Sequence, residues 1–290
     1  MSVTRIPVGR LAAIAAVAVS AIVLVQGVRG PHWKTLTPGV EFATIRGEPW
    51  CRSGSSTIAL VRFDPARIRV RVLHCSSLPD RIPAPIATWM DRTQALAVFN
   101  AGQYYPDHSY MGLLISDGRK VSAKMHPSFQ AVLVAEPTDT VRHGRGATRG
   151  ERRPALARVI DLERDSLDRR AGWQEAAQSF MLFDRDGEMR VRRSDQVSNR
   201  TVVAEDHEGR IVIITSEGGY TLRDFATVLR EAPLGLAQAM AMDGGHEAQL
   251  CVRTGNFRYA SFGRWRREDD RPAAWDVQVP LPAVVALEAR

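Results

Sequence analysis

The chain has 290 residues, 44% of them apolar, enough for one large domain or two small ones around a sizeable core. Its net charge of +7 does not mark a nucleic-acid binder. Arg5, Arg10 and Arg29 supply three of those charges, and the stretch 142–153, with five arginines and one glutamate, supplies the rest. The remaining body is near neutral, so no nucleic-acid partner is expected, and 142–153 is either a solvated loop or a basic attractor for an anionic substrate or acidic lipid heads.

Residues 1–30 read as an export leader. Arg5 and Arg10 precede an uninterrupted small and apolar run from Leu11 to Val25, and no acidic residue occurs before Glu41. Ser20 and Ala21 suit a signal peptidase, while the run to Val28 is nearly long enough to cross a bilayer. The segment 11–28 is therefore a cleaved signal peptide or a membrane tether, and either places the body, residues 35–290, in the periplasm or outside the cell. Cys51, Cys75 and Cys251 have no metal-binding spacing. In an exported chain Cys51 and Cys75 bracket a predicted hairpin, where they either pair or stay free, and pairing leaves Cys251 as a buried thiol.

Alternating apolar and polar residues predict strands at 39–45, 57–63 and 68–73, with "DPAR" (64–67) as a turn in a β meander. "PAPIATWMDRT" (83–93) reads as a short helix and "ALAVFN" (95–100) as a buried strand. Further strands are predicted at 112–116 and 130–136, with "SDGRK" as a turn. "DRRAGWQEAAQSFMLF" predicts a helix running into a strand at Phe180. "NRTVVAED" and "RIVIITSEGG" predict a strand pair around "HEGR". "TLRDFATVLREA" predicts a helix with Thr221 as its N-cap, apolar Leu222, Phe225, Val228 and Leu229 on one face, and a stop at Pro233. "LAQAMAMDGG" and "VPLPAVVALEA" complete the pattern, the latter as a last strand. Hairpins outnumber helices and the helices do not alternate regularly with strands, which predicts a single α+β domain with a mixed, largely antiparallel sheet and flanking helices.

Four stretches carry groups capable of chemistry. In "NAGQYYPD", Asn100 ends a buried strand, Gly102 allows close backbone approach, and Tyr104 and Tyr105 offer flat faces suited to a sugar; a strand-ending Asx turn with core tyrosines is the plainer reading. Arg200 begins a strand, where its guanidinium can clamp a phosphate, although 36 arginines make any one of them a surface residue by default. "ITSEGGYTL" places Glu217 and two glycines before a helix start, either as an anion site or as a simple loop and cap. "AMDGGHEAQL" (241–250) reads as a tight Asp-Gly hairpin, or as a carboxylate, Asp243, held open to a ligand by Gly244 and Gly245.

In order along the chain, "FNAGQYY", "GLLISDGR", "AQSFMLFDRDGE", "NRTVVAEDHEGRIVIIT", "GGYTLRDFATVLRE" and "AMDGGHEAQL" resemble the phosphodiester glycosidase family over roughly residues 95–288. The family's Asn-Gly-Phe-Phe-like motif is matched by Asn100, Gly102, Tyr104 and Tyr105, its Arg-Thr pair by Arg200 and Thr201, and its Asp-Gly-Gly by Asp243, Gly244 and Gly245. The resemblance implies that these are active-site residues and that the fold is a mixed sheet with flanking helices. The chain departs from the family at His246, Glu247 and Ala248, where a third glycine and serines are common. It departs again at Ala204, where glycine is usual, and in its two tyrosines.

The implied activity is hydrolysis of the glycosidic bond of a sugar 1-phosphodiester. Asp243 is then the nucleophile or general base, Glu217 or His246 a supporting acid or base, Arg200 the phosphate contact and Thr201 a further substrate-binding residue. Asn100, Gly102, Tyr104, Gly244 and Gly245 line the sugar seat. Asp243, Glu217 and Asp206 offer oxygen ligands, but no calcium-loop spacing joins them, so no metal and no cofactor are expected. The competing expectation is a non-catalytic module that binds an envelope glycan in the same cleft.

Overall fold

The computed structural model describes residues 30–138, 155–167, 172–263 and 278–290. The leader and the arginine-rich loop 142–153 lie outside the described residues.

Sixteen strands are described, in two sheets. The larger sheet contains β1 (Lys34–Thr37), β2 (Val40–Arg46), β3 (Thr57–Phe63), β12 (Ile211–Ser216), β11 (Thr201–Asp206), β13 (Leu236–Ala241), β10 (Trp173–Phe183), β6 (Leu114–Ser116) and β7 (Arg119–Ser122) in that spatial order. Off this path, β8 (Ala131–Pro137) pairs with β10 and β9 (Ala157–Asp161). The smaller sheet runs β15 (Phe257–Phe262), β14 (Gln249–Thr254), β5 (Ala97–Asn100), β16 (Ala283–Ala289), β4 (Ile68–His74).

The layers follow from side-chain alternation along the strands. Val61 and Phe63 of β3 pack with Val70 and Val72 of β4, Phe99 of β5 and Val285 of β16 in a core between the sheets. Ile58 and Leu60 of the same β3 face the other way, onto Phe225 and Leu229 of helix α2 (Leu222–Glu231). Helix α1 (Ile86–Thr93) covers the outer face of the smaller sheet, with Trp89 and Met90 against Val98 and Val284. The order is helix, sheet, sheet, helix. Strands with both faces covered carry near-continuous apolar runs, as in "VVA" of β11 and "IVII" of β12.

Helix α2 forms as its sequence predicts. The Thr221 hydroxyl accepts from the Asp224 backbone N–H at 3.0 Å, and Phe225, Ala226, Val228 and Leu229 are buried. Ala232 caps the end, ahead of Pro233.

Several expectations need correction. The pairings are antiparallel, as largely expected, but all of those found among the described residues are so and only two α-helices occur there, so the architecture is largely β rather than α+β with a mixed sheet. The "DPAR" turn forms, with Arg67 N donating to Asp64 O at 2.9 Å, but β3 and β4 do not pair. The turn instead carries the chain from one sheet to the other. Cys51 therefore borders the helix α2 layer while Cys75 is buried beneath helix α1, and all three cysteines are free. The helix expected before Phe180 is part of β10, an eleven-residue strand paired with β8 and β6 over its first half and with β13 over its second. Its "QEAAQ" favours helix locally, but Ala176 and Ala177 are each buried on opposite faces, which only strand pairing satisfies.

Candidate active site

The segment "AMDGGHEAQL" is not a hairpin. Strand β13 pairs with β10 and β11, strand β14 with β15 and β5, and the residues between them cross from one sheet to the other through a 3-10 turn at Gly245–Glu247. Antiparallel pairing of β11 with both β12 and β13 brings the start of β11 beside the ends of the other two, with Thr201 opposite Thr215 and Val202 opposite Ala241. Residues 199–200, 217–220 and 242–245 thus gather at one end of the larger sheet. The end of β5 arrives from the smaller sheet, and Asp243 N donates to Ala101 O at 3.1 Å.

Asp243 lines a cleft of about 940 Å³ with Tyr104, Arg192, Arg200, Gly244 and Glu247. Its Oδ1 accepts from Gly244 N at 2.9 Å. Burial pushes the carboxyl up to about 7, with the charge of Glu247 adding, while the Gly244 N–H and Arg200 pull the other way. Near neutral pH it is divided between acid and carboxylate, the condition that proton transfer favours.

Arg200 is held rather than paired. Its Nε donates to Tyr220 O at 3.0 Å and its Nη2 to Gln196 O at 2.7 Å. Both acceptors are neutral, so the guanidinium keeps its charge for an anion. Burial brings its pKa down to about 10, with Asp243 acting in the opposite direction. Arg190 also lines the cleft, but it is committed to Asp161, Asp184 and Glu163.

Gly244 and Gly245 are required by space and conformation. A Cβ on Gly244 would stand 2.9 Å from Asn199 O and 3.4 Å from Arg200 Nη1. Gly245 has φ +74°, and its N–H donates to Asn199 O at 3.0 Å. Tyr104 donates its hydroxyl to Glu247 Oε1 at 3.1 Å, and burial followed by Glu247 raises its pKa.

The other sequence candidates take different places. Asn100 is buried: Nδ2 donates to Asp243 O at 2.9 Å and to Ala101 O at 3.0 Å, and Oδ1 accepts from Gln249 N at 3.1 Å. Its amide is engaged by backbone, and it holds the Asp243 main chain. Gly102 makes room for Tyr110, whose hydroxyl accepts from Gly102 N at 3.0 Å and which a Cβ there would meet at 2.4 Å. Thr201 is buried with its hydroxyl unpartnered, and its carbonyl accepts from Met242 N at 2.9 Å. His246 is exposed and lines no cleft among those described. Glu217 lies in a neighbouring cleft, where it accepts from Ser55 Oγ and Tyr259 OH. Asp206 is tied to Arg210 at 2.8 Å, away from Asp243. Among the described residues no group of three or more His, Cys, Asp or Glu is placed to hold a metal.

Three charged residues of the cleft, Glu247, Arg190 and Arg192, were not candidates in the sequence. Glu247 stands four positions after Asp243, where the 3-10 turn returns it to the same cleft; that spacing was its only signal. Arg192 sits in the run "MRVRR", where nothing distinguishes one arginine from the next.

The zebrafish N-acetylglucosamine-1-phosphodiester alpha-N-acetylglucosaminidase catalytic domain, solved as auto-inhibited by its pro-peptide, superposes with a TM-score of 0.60 at 14% identity, covering 90% of this chain and 87% of that one. A hypothetical protein from Synechocystis superposes with a TM-score of 0.57 at 15% identity, covering 91% of this chain and 64% of its own. Among curated proteins the sequence has no match. At these identities the superpositions establish the fold alone. The family model for phosphodiester glycosidases matches residues 93–278, a span that holds the Asp243 cleft, and the chain belongs to that family.

Proposed function

We propose that the protein is an exported hydrolase that cleaves the glycosidic bond of a sugar 1-phosphodiester. The observation that carries this reading is the cleft in which a carboxyl raised to about 7, Asp243, lies with an arginine bonded to neutral carbonyls, Arg200. The zebrafish relative is named for a substrate of this class.

In this reading Arg200, with Arg192 of the same cleft, neutralises the phosphodiester. The bond between the anomeric carbon and the phosphate oxygen breaks, and its electron pair leaves with the phosphomonoester, an anion that needs little acid assistance. The sugar becomes oxocarbenium-like. Asp243, ionised, accepts a proton from the attacking water, whose oxygen forms the new bond to the anomeric carbon. The products are free sugar and a phosphomonoester.

Incubation with a panel of sugar phosphodiesters in water enriched in oxygen-18 tests this. Free sugar carrying the label is expected. Label in the phosphate means phosphorus–oxygen cleavage, and binding without product means a glycan-binding module; either result rejects the proposal.

A further inference from the structure

A second cleft, of about 640 Å³, adjoins the first, and Ser198 lines both. Its chemistry differs from that of its neighbour. The Asp243 cleft presents Arg192 and Arg200, with Arg190 there already paired to Asp161, Asp184 and Glu163. In the second, Arg52 and Glu217 are the charged residues, and Arg52 is neutralised by Asp224 at 2.9 Å. What remains is a set of hydroxyls from Ser53, Ser55, Ser198 and Ser261, the carboxylate of Glu217 and the ring of Phe262.

The floor is backbone, built tightly. Gly219 N donates to Ser53 O and Arg52 N to Gly219 O, both at 2.8 Å. A Cβ on Gly218 would meet Ser55 O at 2.2 Å, and one on Gly219 would meet Ser53 Oγ at 2.5 Å. Glu217 is fixed above this floor by two hydroxyl donors, Ser55 Oγ at 3.0 Å on Oε2 and Tyr259 OH at 3.1 Å on Oε1. Each carboxylate oxygen retains a lone pair directed elsewhere. An exposed, oriented acceptor beside hydroxyls and an aromatic ring, with no uncompensated cation, suits a neutral polyol and not an anion.

We infer that the cleft between Glu217 and Phe262 seats a neutral sugar unit, giving the protein a second saccharide site beside the Asp243 cleft. Glu217 accepts from a pair of sugar hydroxyls and Phe262 covers an apolar face of the ring. That this unit belongs to the same substrate as the phosphodiester rests on the proposed glycosidase reading; the binding itself does not.

The test is calorimetric titration of the purified full chain with a panel of neutral trisaccharides built from glucose, mannose, galactose and N-acetylglucosamine. Saturable binding is expected, weakened about tenfold in Glu217→Ala, the order expected for hydrogen bonds to a charged group, and retained in Asp243→Asn. Hydrogen exchange on the unmodified protein provides a second readout, with protection expected at 53–55, 217–219 and 260–262. No binding of any member at millimolar concentration overturns the inference. So does binding that Asp243→Asn abolishes while Glu217→Ala spares it, or protection confined to the Asp243 cleft. Because the titration needs no turnover, a catalytically silent protein leaves its result intact.

Discussion

Asn100 fixes Asp243 through the main chain: one amide hydrogen goes to the Asp243 carbonyl at 2.9 Å while the amide oxygen takes the Gln249 N–H at 3.1 Å. A side chain from the end of one sheet thereby clamps both ends of the crossing segment that carries the carboxyl.

Asn100→Ala is expected to leave two buried backbone groups unsatisfied, at about 1–3 kcal/mol each. Thermal unfolding then shifts to lower temperature. Because the carboxyl is displaced rather than removed, kcat should fall about 10- to 100-fold with KM little changed. A rise in KM at unchanged kcat would instead make Asn100 a direct sugar contact.

The acidity of Asp243 predicts a pH profile. Ionised Asp243 is the working form in the proposed reaction, so kcat/KM should climb with pH through about 7 and level off above it. Burial and the charge of Glu247 both disfavour ionisation, so Glu247→Gln should move that limb to lower pH. Asp243→Asn should lower turnover by about 100-fold or more at every pH. A limb that stays in place in Glu247→Gln would detach it from Asp243.

Arg200→Lys is not conservative here. One ammonium cannot hold both Tyr220 O and Gln196 O and also face the cleft. A loss of about 10- to 100-fold in kcat/KM is expected, with the salt dependence little changed because the charge is kept. Equal rates in the two proteins would show that the phosphate is held elsewhere, with Arg192 the next residue to substitute.

Glu175 is buried, accepts from Val72 N at 2.8 Å across to the smaller sheet, and is pushed up to about 7 chiefly by that burial. A raised carboxyl stabilises the fold fully below its ordinary value, and the contribution is lost as pH rises through about 7. The melting temperature should therefore decline from about pH 5 to about pH 8, and Glu175→Gln should flatten part of that decline. Differential scanning calorimetry across the range decides it; an unchanged slope rejects the assignment.

The local rules served well where one segment decides its own structure. Thr221, the apolar face of Phe225, Val228 and Leu229, and Pro233 together specify helix α2, and "TVVAED" and "RIVIIT" specify their own hairpin. The sequence also named Asp243, Arg200, Gly244 and Tyr104, which the fold brings to one cleft. It failed where pairing partners are distant. "DPAR" and "AMDGG" carry turn residues, and turn residues do not reveal whether the following strand folds back or crosses to another sheet. The helix-favouring "QEAAQ" of β10 was overridden by three partner strands at once.

What the order of residues determined by itself was the inventory: which strands are apolar on both faces, where the chain turns, and which carboxyl, amide and guanidinium end up at strand ends. Assignment among them was tertiary. Only the packing of two sheets turned Asn100 inward onto backbone, returned Glu247 to Asp243 and set Glu217 in a separate cleft. Those outcomes depend on which strand lies beside which, a long-range choice made by burying both sheets' inner faces against each other.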